Sequence, residues 1–405
     1  MCSVRGVADL VSVDDALARV LAHAQPLPAE AVPLGEAAGR VLSDDARAAV
    51  DLPRFPSSAM DGFALRAVDT PGTLTIVERI AAGKPASRPL APGEAMGIAT
   101  GAVVPDGADT VVPIEVVIED DGAVTVPDAA AAGDNVRPLG GDVRAGEPVV
   151  PGGTVLGPSR LAALAAAGVA HPRCGERPRV AIVTTGTELR APGEALGQGE
   201  IYESNGVMLA AVFRTAGAVV EPPRRVADDP AAHREALAAA LETDVLVTSG
   251  GVSVGPHDLV RATLAELGAR EIFWRVSMRP GKPISFATRG RTLVFGLPGN
   301  PVSSLVGALL FVAPALRALQ GARDPGPRFE AGRLGAPARR NPVRDDFQRA
   351  RVEHTDEGVV LVPIEGQESH MIVRAAIADA LVHVPRGDGM LAAGSPCRYL
   401  PLGAA

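Results

Sequence analysis

The sequence predicts a multidomain protein of the α/β plus β class. Three observations carry that expectation. At 405 residues the chain is longer than a single hydrophobic core usually organises, so two to four domains are expected. Between about 178 and 320, buried-strand runs alternate with amphipathic helical segments, the pattern of a largely parallel sheet covered on both faces. On either side of that region, short β-like runs are separated by Pro-Gly, Gly-Lys and Asp-Gly turn signals.

In chain order, residues 13 to 24 place apolar side chains at helical spacing behind an acidic start, with Ser12 as the N-cap. From 31 to 50, short apolar pieces surround Gly35 and Gly39, after which DLPRFPSSAMDG is an ordered loop without periodicity. From about 62 to 156, TLTIVERI, DTVVPIEVVI and AVTVP predict a small, mostly-β module. PSRLAALAAAGV at 158 to 169 predicts a helix opened by Pro158 and Ser159 and closed by Gly168. After Gly326 the strand pattern returns, in GVVLVPI and ALVHVP, as a terminal β-rich domain.

Composition narrows the function classes. An apolar content of 47% with 45 Gly and 36 Pro fits a folded, turn-rich chain and excludes wholesale disorder. A net charge of -8 with no long basic run offers nucleic acid no electrostatic footprint. Cys2, Cys174 and Cys397 are widely spaced without C-x-x-C pairing, so they are read as reduced thiols. Met1 to Leu21 lacks an unbroken apolar core, and the later chain is read as having no 18-residue apolar span, which together predict a cytoplasmic protein with no membrane partner. Only two of the 39 basic residues are lysine, Lys84 and Lys282, both in Gly-Lys-Pro. In so arginine-biased a chain, a retained lysine points to a place where an ammonium is wanted.

Three strand ends in the α/β segment feed loops of special composition: VAIVTTGTEL, DVLVTSGGVSVGPHDL and VFGLPGNPVSSL. Ligands collect at the carboxyl ends of such strands, where backbone amides and helix N-termini face outward. Gly250, Gly251 and Gly255 permit close backbone approach, and Thr248, Ser249 and Ser253 offer hydroxyls to a phosphate. The spacing is neither a Walker loop nor G-x-G-x-x-G, which argues against ordinary nucleotide hydrolases and dinucleotide enzymes; a tight strand-to-helix turn is the bland alternative. Glu188 and Asp258 are candidate oxygen ligands for Mg2+, whereas Asp244 is read as structural. Arg279 and Lys282 on the MRPGKP turn suit an oxyanion. Pro298, Gly299, Asn300 and Pro301 form a rigid loop whose amides, with Ser303 and Ser304, face an anion. Asp61, Thr100 and Asp142 occupy turns that hydrophobic packing does not explain, and Arg137 is either an anion ligand or a surface charge. The histidines, His257 and His370 included, show no metal-ligand spacing.

Taken together, PSSAMDGFA, TGAVVPDGADTVV, GGDVRAGE, TTGTEL, IYESNG, SGGVSVGPHD, RPGKP, LPGNPVSS, DDFQRA and GQESHM resemble, in order, the MoeA family, also found as the E domain of gephyrin-like proteins. The resemblance implies a discontinuous helical linker domain (1–55 and 142–176), an inserted mostly-β domain (56–141), a MogA/MoaB-like α/β molybdopterin-binding domain (177–326) and a C-terminal β-barrel (327–405). It implies a homodimer in which the cleft of one subunit faces the inserted domain of the other. It implies insertion of molybdate into adenylylated molybdopterin with release of AMP, Mg2+ being required and a MogA-like adenylyltransferase being a possible partner. By the same resemblance Asp61, Glu188, Asp258 and Lys282 are catalytic, with Glu188 and Asp258 on the metal. Asp228, Arg349 and Ser369 join Thr100, Asp142, Pro298 and Pro301 as functionally sensitive positions. Two departures stand out: Arg279 where many relatives carry lysine, and Thr187 where an acidic residue often precedes Glu188. The alternatives are a MogA-like adenylyltransferase, against which the extra β domains argue, and a gephyrin-like scaffold.

Overall fold

The computed structural model describes residues 10–251 and 259–403. The α/β unit is a three-layer sandwich. Its sheet runs Val219–Val220, Arg179–Thr185, Val245–Ser249, Thr292–Leu297, Ser285–Arg289, Arg270–Trp274, with Arg224–Val226 also paired to Arg179–Thr185. The first four are parallel, and the last two add an antiparallel edge. Period-2 alternation sends Val180, Ile182, Val245 and Val247 into one core layer and Ala181, Val183 and Leu246 into the other. Helices Asn205–Thr215 and Pro301–Gly307 cover the first face, and Pro230–Ala240 and Leu259–Glu266 the second.

The expected absence of an 18-residue apolar span is corrected here. Pro301–Leu319 is a helical run of 19 residues with mean hydropathy 1.9, broken in charge only by Arg317. Of its most apolar 18-residue stretch, 83% is buried inside the protein, between the sheet and the helices Val13–His23 and Asn205–Thr215, so its all-round apolarity reflects a position in the middle of the core.

The helix Val13–His23 forms as its sequence predicts, Ser12 Oγ accepting from the Asp15 amide at 3.1 Å. Ala16, Val20 and Ala24 pack into the α/β core, and Val11 bridges Val276, so this helix joins the α/β unit by packing, not the linker it adjoins in sequence. The linker itself is less helical than expected. One helix, Pro158–Ala166, accompanies two short ladders, Ala29–Ala31 with Arg173–Gly175 and Ala46–Arg47 with Pro148–Val150, around a core of Leu42, Leu156, Leu164 and Cys174.

The inserted module is a six-stranded mixed sheet covering Gly62–Leu65 to Ala123–Val126, buried on both faces: Phe63 and Leu65 face one cluster, Ala64 the other. The C-terminal region closes a five-stranded barrel. Asp345–Thr355 pairs Gly358–Pro363, which pairs Glu330–Leu334, then Pro396–Pro401, then Ala380–Val384, which returns to Asp345–Thr355. Met278–Arg279 of the α/β unit adds in parallel to Asp345 and Asp346, tying the barrel to the edge of the cleft described next.

Candidate functional site

Three parallel strands end side by side, and their loops converge. After Thr185, Gly186 turns at φ +151°, a geometry that a side chain would oppose; a Cβ there would lie 2.5 Å from the Glu188 carboxylate, which packs against it. After Ser249, Gly250 and Gly251 take φ +96° and +66°. After Leu297, Pro298 leads to Gly299, where a Cβ would sit 3.7 Å from the Gly250 Cα, so the two loops nearly touch. Together they floor a cleft of about 1240 Å3 lined by Thr185, Glu188, Asp228, Ser249–Gly251, Arg275, Lys282 and Pro298–Pro301, among others.

Hydrogen bonds fix these loops to one another. Asn205, the first residue of its helix, donates to Ser249 Oγ at 2.9 Å and to the Gly299 carbonyl at 2.8 Å. Ser249 Oγ also donates to the Pro298 carbonyl at 3.2 Å. Asn300 donates to Ser369 Oγ at 2.9 Å, and the Val302 amide donates to the Ser369 carbonyl at 3.1 Å, which couples the barrel loop to the helix entry at Pro301. A second groove of about 600 Å3, sharing Lys282, Pro298, Asn300 and His370 with the first, adds Arg279, Ser303 and Ser369.

Several expected site residues stand elsewhere or act differently. Thr248 is fully buried in its strand and its hydroxyl donates to the Phe295 carbonyl at 3.4 Å, so it offers no donor to the cleft; strand alternation turns it away from the neighbouring Ser249. Arg279 lines the second groove with its guanidinium in a bidentate pair on buried Asp346, its Nε 2.6 Å from the carboxylate. Asp61 accepts from the Thr100 amide at 2.7 Å and hydroxyl at 3.1 Å, and this pair lies outside the main cleft. Arg137 and Asp142 line a separate pocket of about 680 Å3 with Phe55 and Gly101. Asp244 is structural as read: it accepts from the Arg179 amide at 2.7 Å. Ser253, Gly255, His257 and Asp258 lie outside the described residues.

Arg349 is 1% exposed and lines neither the cleft nor the second groove, standing behind the groove wall formed by Gln367 to His370. It donates to the carbonyls of Met371 and Gly366, each at 2.5 Å, and of Glu368 at 3.1 Å, holding the loop that carries Ser369 and His370. Burial pushes its guanidinium below the ordinary value, with Glu368 opposing. Replacing it with methionine would leave those carbonyls unpaired, so Arg349→Met is expected to lower stability by roughly 2–4 kcal/mol in denaturant titrations. A change below about 0.5 kcal/mol would contradict this role.

Asn205, Thr185, Tyr202 and Arg275 line the cleft but were not singled out as site residues from sequence. For Asn205 a signal existed: it opens a helix directly after ES within IYESNG, a polar residue where a strand-end loop turns back to the sheet.

An anion-suited cleft at the strand ends of a three-layer α/β unit, flanked by two β modules, defines the class. The corresponding segment, 181–318, matches the family model described as "Probable molybdopterin binding domain". The flanking segments match "MoeA N-terminal region (domain I and II)" over 11–168 and "MoeA C-terminal region (domain IV)" over 331–402. The chain belongs to the MoeA family of molybdopterin molybdenumtransferases, and is accordingly a transferase of molybdenum cofactor biosynthesis. It is similar to molybdopterin molybdenumtransferase 2 of Mycobacterium tuberculosis, 36% identical over 377 residues that cover 90% of this chain and 93% of that protein. It is similar to the molybdopterin molybdenumtransferase of Staphylococcus aureus, 32% identical over 393 residues, covering 95% and 94%. Among solved structures, a molybdopterin biosynthesis MoeA protein from Pyrococcus horikoshii superposes with a TM-score of 0.82 at 28% identity, over 98% of this chain and 100% of that one.

Proposed function

We propose that the cleft binds adenylylated molybdopterin and that the protein inserts molybdate at its dithiolene, with cleavage of the pyrophosphate linkage and release of AMP. The observation that carries this reading is the convergence of three glycine- and proline-shaped strand ends on one cleft that also holds Lys282, which has no carboxylate partner among the described residues. A bound pyrophosphate would meet the amides of the Gly250–Gly251 turn and the start of the helix at Pro301. Lys282 would neutralise charge as one P–O bond of the P–O–P bridge breaks, water supplying an oxygen to that phosphorus while the bridging oxygen leaves on the other phosphate. The second groove, with Arg279, Lys282, Ser303 and Ser369, suits the smaller oxyanion, molybdate. The dithiolene sulfurs are the molybdenum ligands, so no cysteine is needed. Burial holds both Cys174 and Cys397 thiols above their ordinary range, which fits two structural thiols.

Mg2+ fits the donor set present. Glu188 lines the cleft with no hydrogen-bond partner for its carboxylate among the described residues, and Mg2+ is commonly held by one or two carboxylates plus substrate phosphate oxygens. Glu188, with Asp258, would hold the ion, which would supply neutralising charge beside the phosphates.

The protein is proposed to work as a homodimer in the cytosol, taking its substrate from a MogA-like adenylyltransferase. Asp61 and Thr100 support the dimer: they form a prepared polar pair outside their own subunit's cleft, a placement that suits the cleft of a second copy. Their role and those of Arg137, Asp142 and Asp228 are part of this proposal.

The test is to supply preformed adenylylated molybdopterin, with and without molybdate, and follow AMP. Molybdate-dependent AMP release that stops on chelation and returns with Mg2+ is expected. Formation of adenylylated product from molybdopterin and Mg-ATP, without molybdate-dependent AMP release, would instead identify an adenylyltransferase.

A further inference from the structure

Arg275 stands apart from every other residue of the cleft. Three non-glycine residues among those described have left-handed backbones; two are Asp121 and Asn135, types whose short polar side chains tolerate that geometry, and the third is Arg275 at φ +71°. The surroundings impose it. The Arg275 amide donates to the Ile284 carbonyl at 2.9 Å, and its own carbonyl accepts from the Val11 amide at 3.1 Å. The next amide, that of Val276, donates to the Lys282 carbonyl at 2.9 Å, so Arg275 and Lys282 sit close together on facing arms of one bend.

The side chain is held as firmly as the backbone. Its guanidinium carbon lies 3.8 Å from the centroid of the Trp274 ring, and the guanidinium of Arg261 lies over the same ring at 4.0 Å. Trp274 is the only tryptophan of the chain. A guanidinium stacked on an indole keeps its edge N–H groups free, in a plane that matches two phosphate oxygens. Arg261 has Glu271 as an ion-pair partner at 2.7 Å, whereas Arg275 forms no ion pair with any described residue. The cleft therefore holds two cations, Arg275 and Lys282, that have no carboxylate partner among the described residues.

We infer that Arg275, aimed by its left-handed backbone and its stack on Trp274, is a second phosphate-binding cation of the cleft and grips the diphosphate of the substrate together with Lys282. The inference rests on the proposed function, since it presumes that the cleft takes a diphosphate ester. It assigns Arg275 to binding and Trp274 to positioning.

The experiment measures binding of inorganic pyrophosphate and of AMP to the full-length protein by calorimetry at two salt concentrations. The variants are Arg275→Gly and Arg275→Asn, both suited to a left-handed backbone and so expected to fold, and Trp274→Leu beside Trp274→Phe. Both Arg275 variants are expected to bind pyrophosphate roughly tenfold or more weakly, with a shallower salt dependence because one cation fewer meets the anion. Trp274→Leu is expected to weaken binding and Trp274→Phe, which keeps an aromatic face, to restore most of it. If the wild type binds pyrophosphate and the Arg275 variants bind it equally well with the same salt slope, the assignment of Arg275 falls while the cleft reading stands. If the wild type binds neither probe, the cleft reading falls and this inference with it.

Discussion

Replacing Lys282 with methionine is expected to slow molybdate-dependent AMP release roughly 100- to 1,000-fold, the range seen when one preorganised donor to a developing oxyanion is removed. Lys282 is one of only two lysines in the chain, lines both the main cleft and the adjoining groove, and has no ion-pair partner among the described residues. Methionine keeps the length and apolar stem of the side chain, so packing is largely retained. The loss should fall on the rate, with a smaller effect on substrate affinity if the positive charge acts mainly on charge that develops during bond cleavage. Lys282→Arg is expected to recover part of the rate because the charge returns with a different geometry. Wild-type turnover by Lys282→Met, with unchanged folding, would remove the lysine from the chemistry.

Gly250→Ala carries the second large effect, for a different reason. A Cβ there would lie 2.7 Å from the Thr185 carbonyl oxygen and 2.8 Å from its hydroxyl, at a backbone φ of +96° that L side chains rarely adopt. The clash is with main chain, which cannot rotate away. The Ser249–Gly251 loop must shift, and because it rests against Gly299 and is tied through Ser249 to Asn205 and Pro298, the shift would spread to the other two loops. A displacement of about 1 Å in such a site is enough for a loss of order 100-fold in rate, accompanied by roughly 1–3 kcal/mol of destabilisation. Comparing steady-state AMP release with thermal melting separates the two effects. A variant that melts lower but turns over normally would show that this loop does not shape the site.

The layered α/β unit and the convergence of its loops were legible in sequence because both are local signals. Apolar runs such as VAIV and DVLV, each ended by small or turn-forming residues, mark buried strands and the places where they stop. The same locality explains why the helix Val13–His23 and its Ser12 cap were foreseen, but not the core it packs into. Arg279 shows the limit more sharply. Its turn was read correctly, but its carboxylate partner Asp346 lies 67 residues away on a barrel strand, and no local pattern announces that pairing. Arg349 is marked in the sequence only by the family resemblance, and its role becomes visible when the barrel closes around it and three carbonyls take up its hydrogens. Thr248 could have been excluded from the cleft by counting alternate residues along Val245–Ser249, since Ser249 and its neighbour point to opposite faces. Pro301–Leu319 is not an unbroken apolar run, since Ser303, Ser304, Pro314 and Arg317 interrupt it, yet its mean hydropathy stays at 1.9 because the residues between them are strongly apolar.

A structure of the protein with adenylylated molybdopterin bound tests the central claim most directly. The two phosphates are predicted to lie between the Gly250–Gly251 turn, Asn300 and Lys282, with the inserted domain of a second copy facing them. Density for the ligand in the pocket of Arg137 and Asp142 instead, or in the cleft of a solitary subunit with only solvent opposite, would contradict the account.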